Sequence, residues 1–307
     1  MYLTKKTPYQ KRSKTEDLTA LFRSVDDFWQ QFESDWTTHL IGLNRSRRGP
    51  KPELSVSEMI KIVILLHQSN YRTFKHFYQF VATHLRSYFP QMITYYRFVA
   101  SMKNLFIPIF ANLMHRAGKV TGIAFIDATS TAVCHNKRIR RNKVFRGFAK
   151  RGKTKAGWFY GFKLHLVINE LGEIISFLIT PGNVADIAVV EQLTKKLIGQ
   201  LYGDKAYISQ QLACRLIKRG LQLFTTIRSN MKQKLISLKD KALLRKRAII
   251  ETVNDQLKNI SQIEHKRHRS VSNFLINLLA GLVAYSHQAK KPSLNLNDDK
   301  NYLMLAT

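Results

Sequence analysis

The stretch GIAFIDATS, Gly122 to Ser130, constrains the fold more than any other part of the chain. Ile123, Ala124, Phe125 and Ile126 call for a buried strand, yet the apolar run stops on Asp127. A lone buried carboxylate costs several kcal/mol unless it is paired or bound to a cation. The chain holds only 20 acidic residues against 50 basic ones, so an acid closing a core strand needs its own explanation. Its partners are expected downstream.

From Gly118 onward the pattern is that of an α/β domain. The first strand is expected to end at Asp127. The stretch CHNKRIRRNKVFRGFAKRGKTKAGW then carries Lys137, Arg138, Arg140, Arg141, Lys143, Arg146, Lys150, Arg151, Lys153 and Lys155 with no acids, and reads as a positively charged loop or ribbon. GFKLHLVINELGEIISFLITPG supplies two β-like runs joined by Asn169-Glu170-Leu171-Gly172, the signature of a hairpin. A helix is expected over AVVEQLTKKLIG, a strand end at Asp204 in LYGDKAY, a helix over SQQLACRLIKRG and a strand over LQLFTTI. A final helix, AIIETVNDQLKN, carries Glu251. This order is that of the RNase H-like α/β fold, a mixed sheet flanked by helices.

Residues 1 to about 118 read as helical. Ser55 and Glu58 have the spacing of a capping box, and the following MIKIVILLHQ is apolar nearly all round, which marks a central helix. Phe74, Phe77, Phe80, Val81 and Leu85 form a stripe at helical spacing that Pro90 ends. In YYRFVASMKNLFIPIFANLMHRAG the stripe returns, with Pro108 expected to kink or split the segment. Ahead of these lies RSRRGPKPE, Arg45 to Glu53, which reads equally as a minor-groove arm or a solvated linker. Helices with basic flanks suit a DNA-binding domain. The expected division is a helical DNA-binding domain over 1–118, an RNase H-like catalytic domain over 119–290 and a polar tail over 291–307.

The formal net charge of +30 would make a compact chain repel itself without a polyanionic partner, and nucleic acid leads the candidates. Membrane is the rival polyanion, but apolar runs such as IVILL, Ile62 to Leu66, fall far short of the ~20 residues a spanning helix needs. The N-terminal MYLTKKTPYQKRSKTEDL is basic without an apolar signal region. Cys134 and Cys214 sit in no paired motif and read as buried or idle thiols, consistent with a reducing cytosol. His265 and His268, in HKRHRS, suit a basic nucleic-acid-facing role better than zinc binding.

Asp127, Asp204 and Glu251 are too far apart in sequence to pair locally, yet two strand ends and an adjacent helix bring such residues together. Their repulsion would be relieved by two divalent cations roughly 3.5 to 4 Å apart, one activating an attacking oxygen and one stabilising the leaving oxygen of a phosphodiester. Hard oxygen donors suit Mg²⁺. Each acid alone has a plainer reading: Asp127 capping a turn, Asp204 starting the next helix, Glu251 pairing with Arg247. Asp186 reads more safely as a helix N-cap than as a site residue. Asp255, four residues after Glu251, ranks second for the third acid.

In these residues the chain resembles the insertion-sequence transposases of the DDE type, in the branch marked by a Tyr-x2-Arg-x3-Glu-x6-Lys signature. Arg247, Glu251 and Lys258 match that spacing, IDATS and GDKAY resemble the first- and second-acid motifs, and ITPGNVAD the segment after the hairpin. The likeness covers about Gly118 to Gly281. Leu244 stands at the tyrosine position and has no hydroxyl to donate to phosphate. The interval from Asp204 to Glu251 is too short for the large insertion some relatives carry, and it holds no tryptophan to stack on a flipped base.

The resemblance implies that Asp127, Asp204 and Glu251 bind catalytic Mg²⁺, with Mn²⁺ as a substitute, while Arg247 and Lys258 hold DNA phosphate. Arg138, Arg140, Arg141, Lys150, Arg151 and Lys153 are the further DNA-binding candidates. The expected protein is a cytoplasmic, nucleoid-associated transposase that binds the terminal repeats of its element and catalyses strand cleavage and strand transfer. It would act on double-stranded DNA, at element ends and target, as a homodimer or higher oligomer and without a membrane. The alternatives are a structure-selective nuclease of the same fold and an inactive basic nucleic-acid-binding protein.

Overall fold

The computed structural model describes residues 15–42, 53–69, 71–155, 157–226, 237–264 and 268–294. The basic N-terminal segment before Thr15, most of the RSRRGPKPE stretch, His265 and the end of the polar tail lie outside the described residues. Contacts divide the chain into two units. The first holds the described residues up to Arg116 together with Asn259–Ile263 and Arg269–His287; the second holds Ala117–Lys258, Glu264–His268 and the chain from Gln288. This division differs from the expected one, because a late stretch of the chain belongs to the first unit.

The first unit is helical. Its helices are α1 (Thr15–Gly42), α2 (Val56–Gln68), α3 (Phe74–His84), α4 (Tyr95–Ser101) and α5 (Phe106–His115). The expected capping box starts α2: the Glu58 N–H donates to Ser55 Oγ at 3.1 Å, and the Ser55 N–H donates to Glu58 Oε2 at 2.8 Å. Residues Met59 to Leu66 are buried on every side, as their apolarity requires, and Lys61, the one charged residue among them, is covered by pairing with Asp26 at 2.6 Å. The segment around Pro108 is split, by a 3₁₀ turn over Met102–Leu105, and Pro108 falls in the first turn of α5, where its missing N–H leaves no helical bond unmade. A helix from the far end of the chain, labelled α10 below (Val271–Ser286), packs on α2 and α5. Gly281 permits that packing, since a Cβ there would run into Ile263.

The second unit is built on a six-stranded mixed sheet. Its strands are β1 (Ile123–Cys134), β2 (Lys150–Thr154), β3 (Gly157–Asn169), β4 (Ile174–Pro181), β5 (Gly199–Gly203) and β6 (Leu221–Thr225). β3 runs antiparallel to β1 on one edge, while β2 and β4 share its other edge end to end. The turn between β3 and β4 falls at Asn169 to Gly172 as the sequence indicates, with the Gly172 N–H donating to Asn169 O at 3.0 Å. β5 and β6 continue the sheet parallel to β1. The helices are the single turn α6 (Val190–Leu193), α7 (Gln210–Ile217), α8 (Leu238–Lys246) and α9 (Ala248–Asn259). The helix expected over AVVEQLTKKLIG is thus much shorter than its apolar pattern suggests, a 3₁₀ turn plus one α turn.

Two layers cover the sheet. Ile126, Val167 and Leu201 pack with Val190, Leu193, Leu212 and Leu216 on one face. On the other, Tyr202 stacks on Phe224 at 5.1 Å and contacts Phe125, and its hydroxyl donates to Asp240 of α8 at 2.9 Å. Successive strand residues point to opposite faces, so Asp127 and Asp204 belong to the Phe125 and Tyr202 face. No helix among the described residues is long and apolar enough to cross a membrane.

Candidate active site

β1 does not end at Asp127, contrary to expectation; it runs on through Cys134 as the partner of β3, carried by the β-branched and small residues of ATSTAVC. What does end there is the pairing with β5, whose last register pair is Phe125 with Tyr202. Asp127 lies two residues past Phe125 and Asp204 two residues past Tyr202, so both occupy the mouth where the parallel strands part. Gly203, just before Asp204, leaves room for the Tyr207 ring, which a Cβ would meet at 2.9 Å.

Each acid has a hydrogen-bond or ion-pair partner. Asp127 Oδ2 accepts from Asn254 Nδ2 of α9 at 2.9 Å. Asp204 caps the 3₁₀ turn Lys205–Tyr207, accepting the Ala206 N–H at 2.8 Å. Glu251 pairs with Arg247 one helical turn earlier, at 2.8 Å. The plainer readings of Asp204 and Glu251 are therefore contacts that the structure contains.

The acids nevertheless share one electrostatic neighbourhood. Burial pushes the Asp127 carboxyl from 3.8 up to about 6; the Ala128 N–H and Arg247 pull it down, and Asp204 and Glu251 push it further up. Asp255, exposed on the same helix, is not among the groups acting on Asp127. The Tyr207 hydroxyl, in a side chain 1% exposed, is raised first by burial and then by Asp127, Asp186 and Asp204. Among the described residues it has no hydrogen-bond partner, and neither does Asn254 Oδ1.

Oxygen donors, mutual carboxylate repulsion and two orphaned buried polar atoms fit a hard divalent cation. As the side chains stand, no three His, Cys, Asp or Glu residues among those described are gathered around one point. The Glu251 carboxylate is turned onto Arg247.

The remaining residues fall in different places. Arg247 is largely covered, its side chain 17% exposed. Lys258 lies 3.8 Å from Glu264, not beside Glu251. Arg138, Arg140 and Arg141 are carried on a 3₁₀ turn, Asn136–Arg141, and Lys150, Arg151 and Lys153 on β2; all six are exposed. Leu244 is half-buried on α8.

Asp186 is a correction. The N-cap position belongs to Ala185, and the Asp186 carboxylate instead accepts from Lys163 Nζ at 2.8 Å. His165, two residues along β3, is fully buried and held down to about 4 by desolvation, so it is neutral and its 3.9 Å approach to Asp186 is not an ion pair. Sequence reasoning missed Asn254 and Tyr207, each three residues after a singled-out acid. Neither carried a signal in the local sequence, because the burial of Asn254 and Tyr207 comes from tertiary packing.

The strand order with its parallel extension beyond β1 defines an RNase H-like protein. The family model described as a transposase DDE domain matches residues 117–271, half of the chain, and the chain belongs to that family. It is accordingly a DNA transposase. Two solved structures are similar at low levels. One is the piggyBac transposase synaptic complex with hairpin DNA, at 13% identity over 94% of this chain and 80% of that one, with a TM-score of 0.45. The other is the Mos1 strand transfer complex, at 11% identity over 92% of this chain and 96% of that one, with a TM-score of 0.21. Comparison with curated proteins finds no match.

Proposed function

We propose that this transposase binds the ends of its element and that Asp127, Asp204 and Glu251 form its catalytic acid group, holding divalent ions of which Mg²⁺ is the first candidate. The observation that carries this is the half-buried Asp127 carboxyl at the mouth between β1 and β5, raised to about 6 by desolvation first and by the two further acids, Asp204 and Glu251, after it. Bound there, divalent ions supply charge neutralisation and activation of the oxygen that attacks the phosphodiester. Asn254 orients Asp127 through its amide. Arg247 holds Glu251 and, on release, presents a fixed cation to the DNA strand. Lys258, Arg138, Arg140, Arg141, Lys150, Arg151 and Lys153 bind phosphate, and assembly on DNA is as a dimer or larger oligomer.

The test is incubation of the purified protein with its own flanking DNA and Mg²⁺. Asp127→Ala, Asp204→Ala and Glu251→Ala each abolish strand cleavage and leave DNA binding nearly intact, because affinity comes from the basic side chains. Substantial cleavage by any one variant removes that acid from the site. An Asp255→Ala variant that alone lost cleavage would transfer the third role to it.

A further inference from the structure

The ribbon of β2 and β3 carries a large aromatic side chain that the core does not use. Trp158 is 58% exposed, although its neighbour Phe159 is buried. Opposed residues in an antiparallel ladder share a face. Lys153 is opposite Trp158 and Arg151 opposite Tyr160, so Arg151, Lys153 and Trp158 stand on one side of the ribbon. The Lys153 ammonium lies 5.8 Å from the indole centroid. Asn136 Nδ2 donates to the Trp158 carbonyl at 2.6 Å, which ties the turn bearing Arg138, Arg140 and Arg141 to the tryptophan's own backbone.

We propose that this face is a base-stacking platform, on which Trp158 takes an unpaired base of the substrate DNA while Lys153, Arg151 and the arginine-bearing turn hold the phosphates on either side. The inference rests on the DNA-binding role given above to these cations and adds what the cations alone do not explain. Phosphate binding needs charge and no indole. Inside a duplex both faces of a base are already stacked, so an exposed indole gains only from a base that has left its partner.

The exposed cation–π contact with Lys153 is worth roughly 2- to 5-fold in an equilibrium constant. Stacking of a base on an aromatic side chain is worth roughly 5- to 150-fold. A base therefore displaces the ammonium, which moves toward the phosphate the base brings with it. A second copy of this chain is the poorer occupant, since a net charge of +30 opposes self-association through a basic face.

The test uses the full chain, without divalent metal and at moderate salt. Affinity is measured for a blunt duplex and for the same duplex carrying a short single-stranded extension. Trp158→Ala is expected to lower affinity for the extended DNA by about 5- to 150-fold and to leave the blunt duplex unchanged. Trp158→Phe should keep much of the preference, and the share of tryptophan fluorescence lost in that variant should be quenched by the extended DNA only. Equal losses on both DNAs, or no loss on either, overturn the proposal. So does a changed oligomeric state in Trp158→Ala with DNA affinity intact, which gives the face to a second copy. A chain that shows the preference but fails to cut its element ends with Mg²⁺ would sink the catalytic reading and leave this one standing.

Discussion

Asp127 concentrates the energetic tension of the molecule in one side chain. Desolvation first, and Asp204 and Glu251 after it, push its carboxyl from the ordinary 3.8 up to about 6 in the folded chain. Between those values the folded protein binds the proton more tightly than the unfolded chain, so stability is fully present below 3.8 and declines as pH rises through 6. The decline is roughly 3 kcal/mol for a shift of this size. Urea denaturation of chelator-treated protein from pH 4 to 7 should show it; Asp127→Asn should remove the slope and exceed wild type in stability at pH 7 by about 2 to 3 kcal/mol. Saturating Mg²⁺ should raise wild type and not that variant. Equal slopes for the two proteins would place the tension elsewhere. Asp127 was legible as an anomaly because an acid interrupts an apolar run. Its amide partner was not, because an asparagine in ETVNDQ looks like any solvated helix residue until α9 is laid against β1.

At the scale of elements, periodic patterns were read well and their ends poorly. The capping box of α2 and the turn at Asn169 to Gly172 are fixed by neighbours a few residues away, so local reading suffices. The end of β1 is not local, since pairing with β3 carries it beyond Asp127. Asp186 is misread for the same reason: it sits where a cap is expected, but its partner comes from β3. Lys163 is 15% exposed and, without Asp186, keeps among the described residues the Val184 carbonyl at 2.9 Å. Asp186→Ala should therefore cost about 2 kcal/mol or more, as expected when one partner of a largely covered pair is removed. Replacing both residues, Lys163→Met with Asp186→Ala, should recover most of the loss. Were Asp186 a helix cap, the lysine substitution would restore nothing. Urea midpoints of the wild type and the two variants decide between the two roles.

The chain as a whole returns on itself, and no local pattern announces that. α10 is apolar nearly all round, which tells that it is buried and not what it is buried against. Cutting at Gly118, the boundary the sequence suggests, separates α2 and α5 from the helix that covers them. Phe274, Ile276, Leu278, Leu279, Leu282 and Val283 are each at most 1% exposed. A fully buried side chain of this kind contributes roughly 1.5 to 3 kcal/mol. Several of them together rival the ~5–15 kcal/mol net stability of an ordinary domain. A fragment ending at Gly118 should therefore show helical circular dichroism without a cooperative urea transition. Joining residues 259–287 to it through a flexible linker should restore the transition. A sharp two-state transition from the short fragment would show that α10 only decorates the bundle. The result governs how DNA recognition is assigned: if α10 is required, loss of end binding by the short fragment reports unfolding, and only the linked form tests whether the helical unit reads DNA. On that form, log K for duplex should fall by about 0.9 per phosphate neutralised for each tenfold rise in salt.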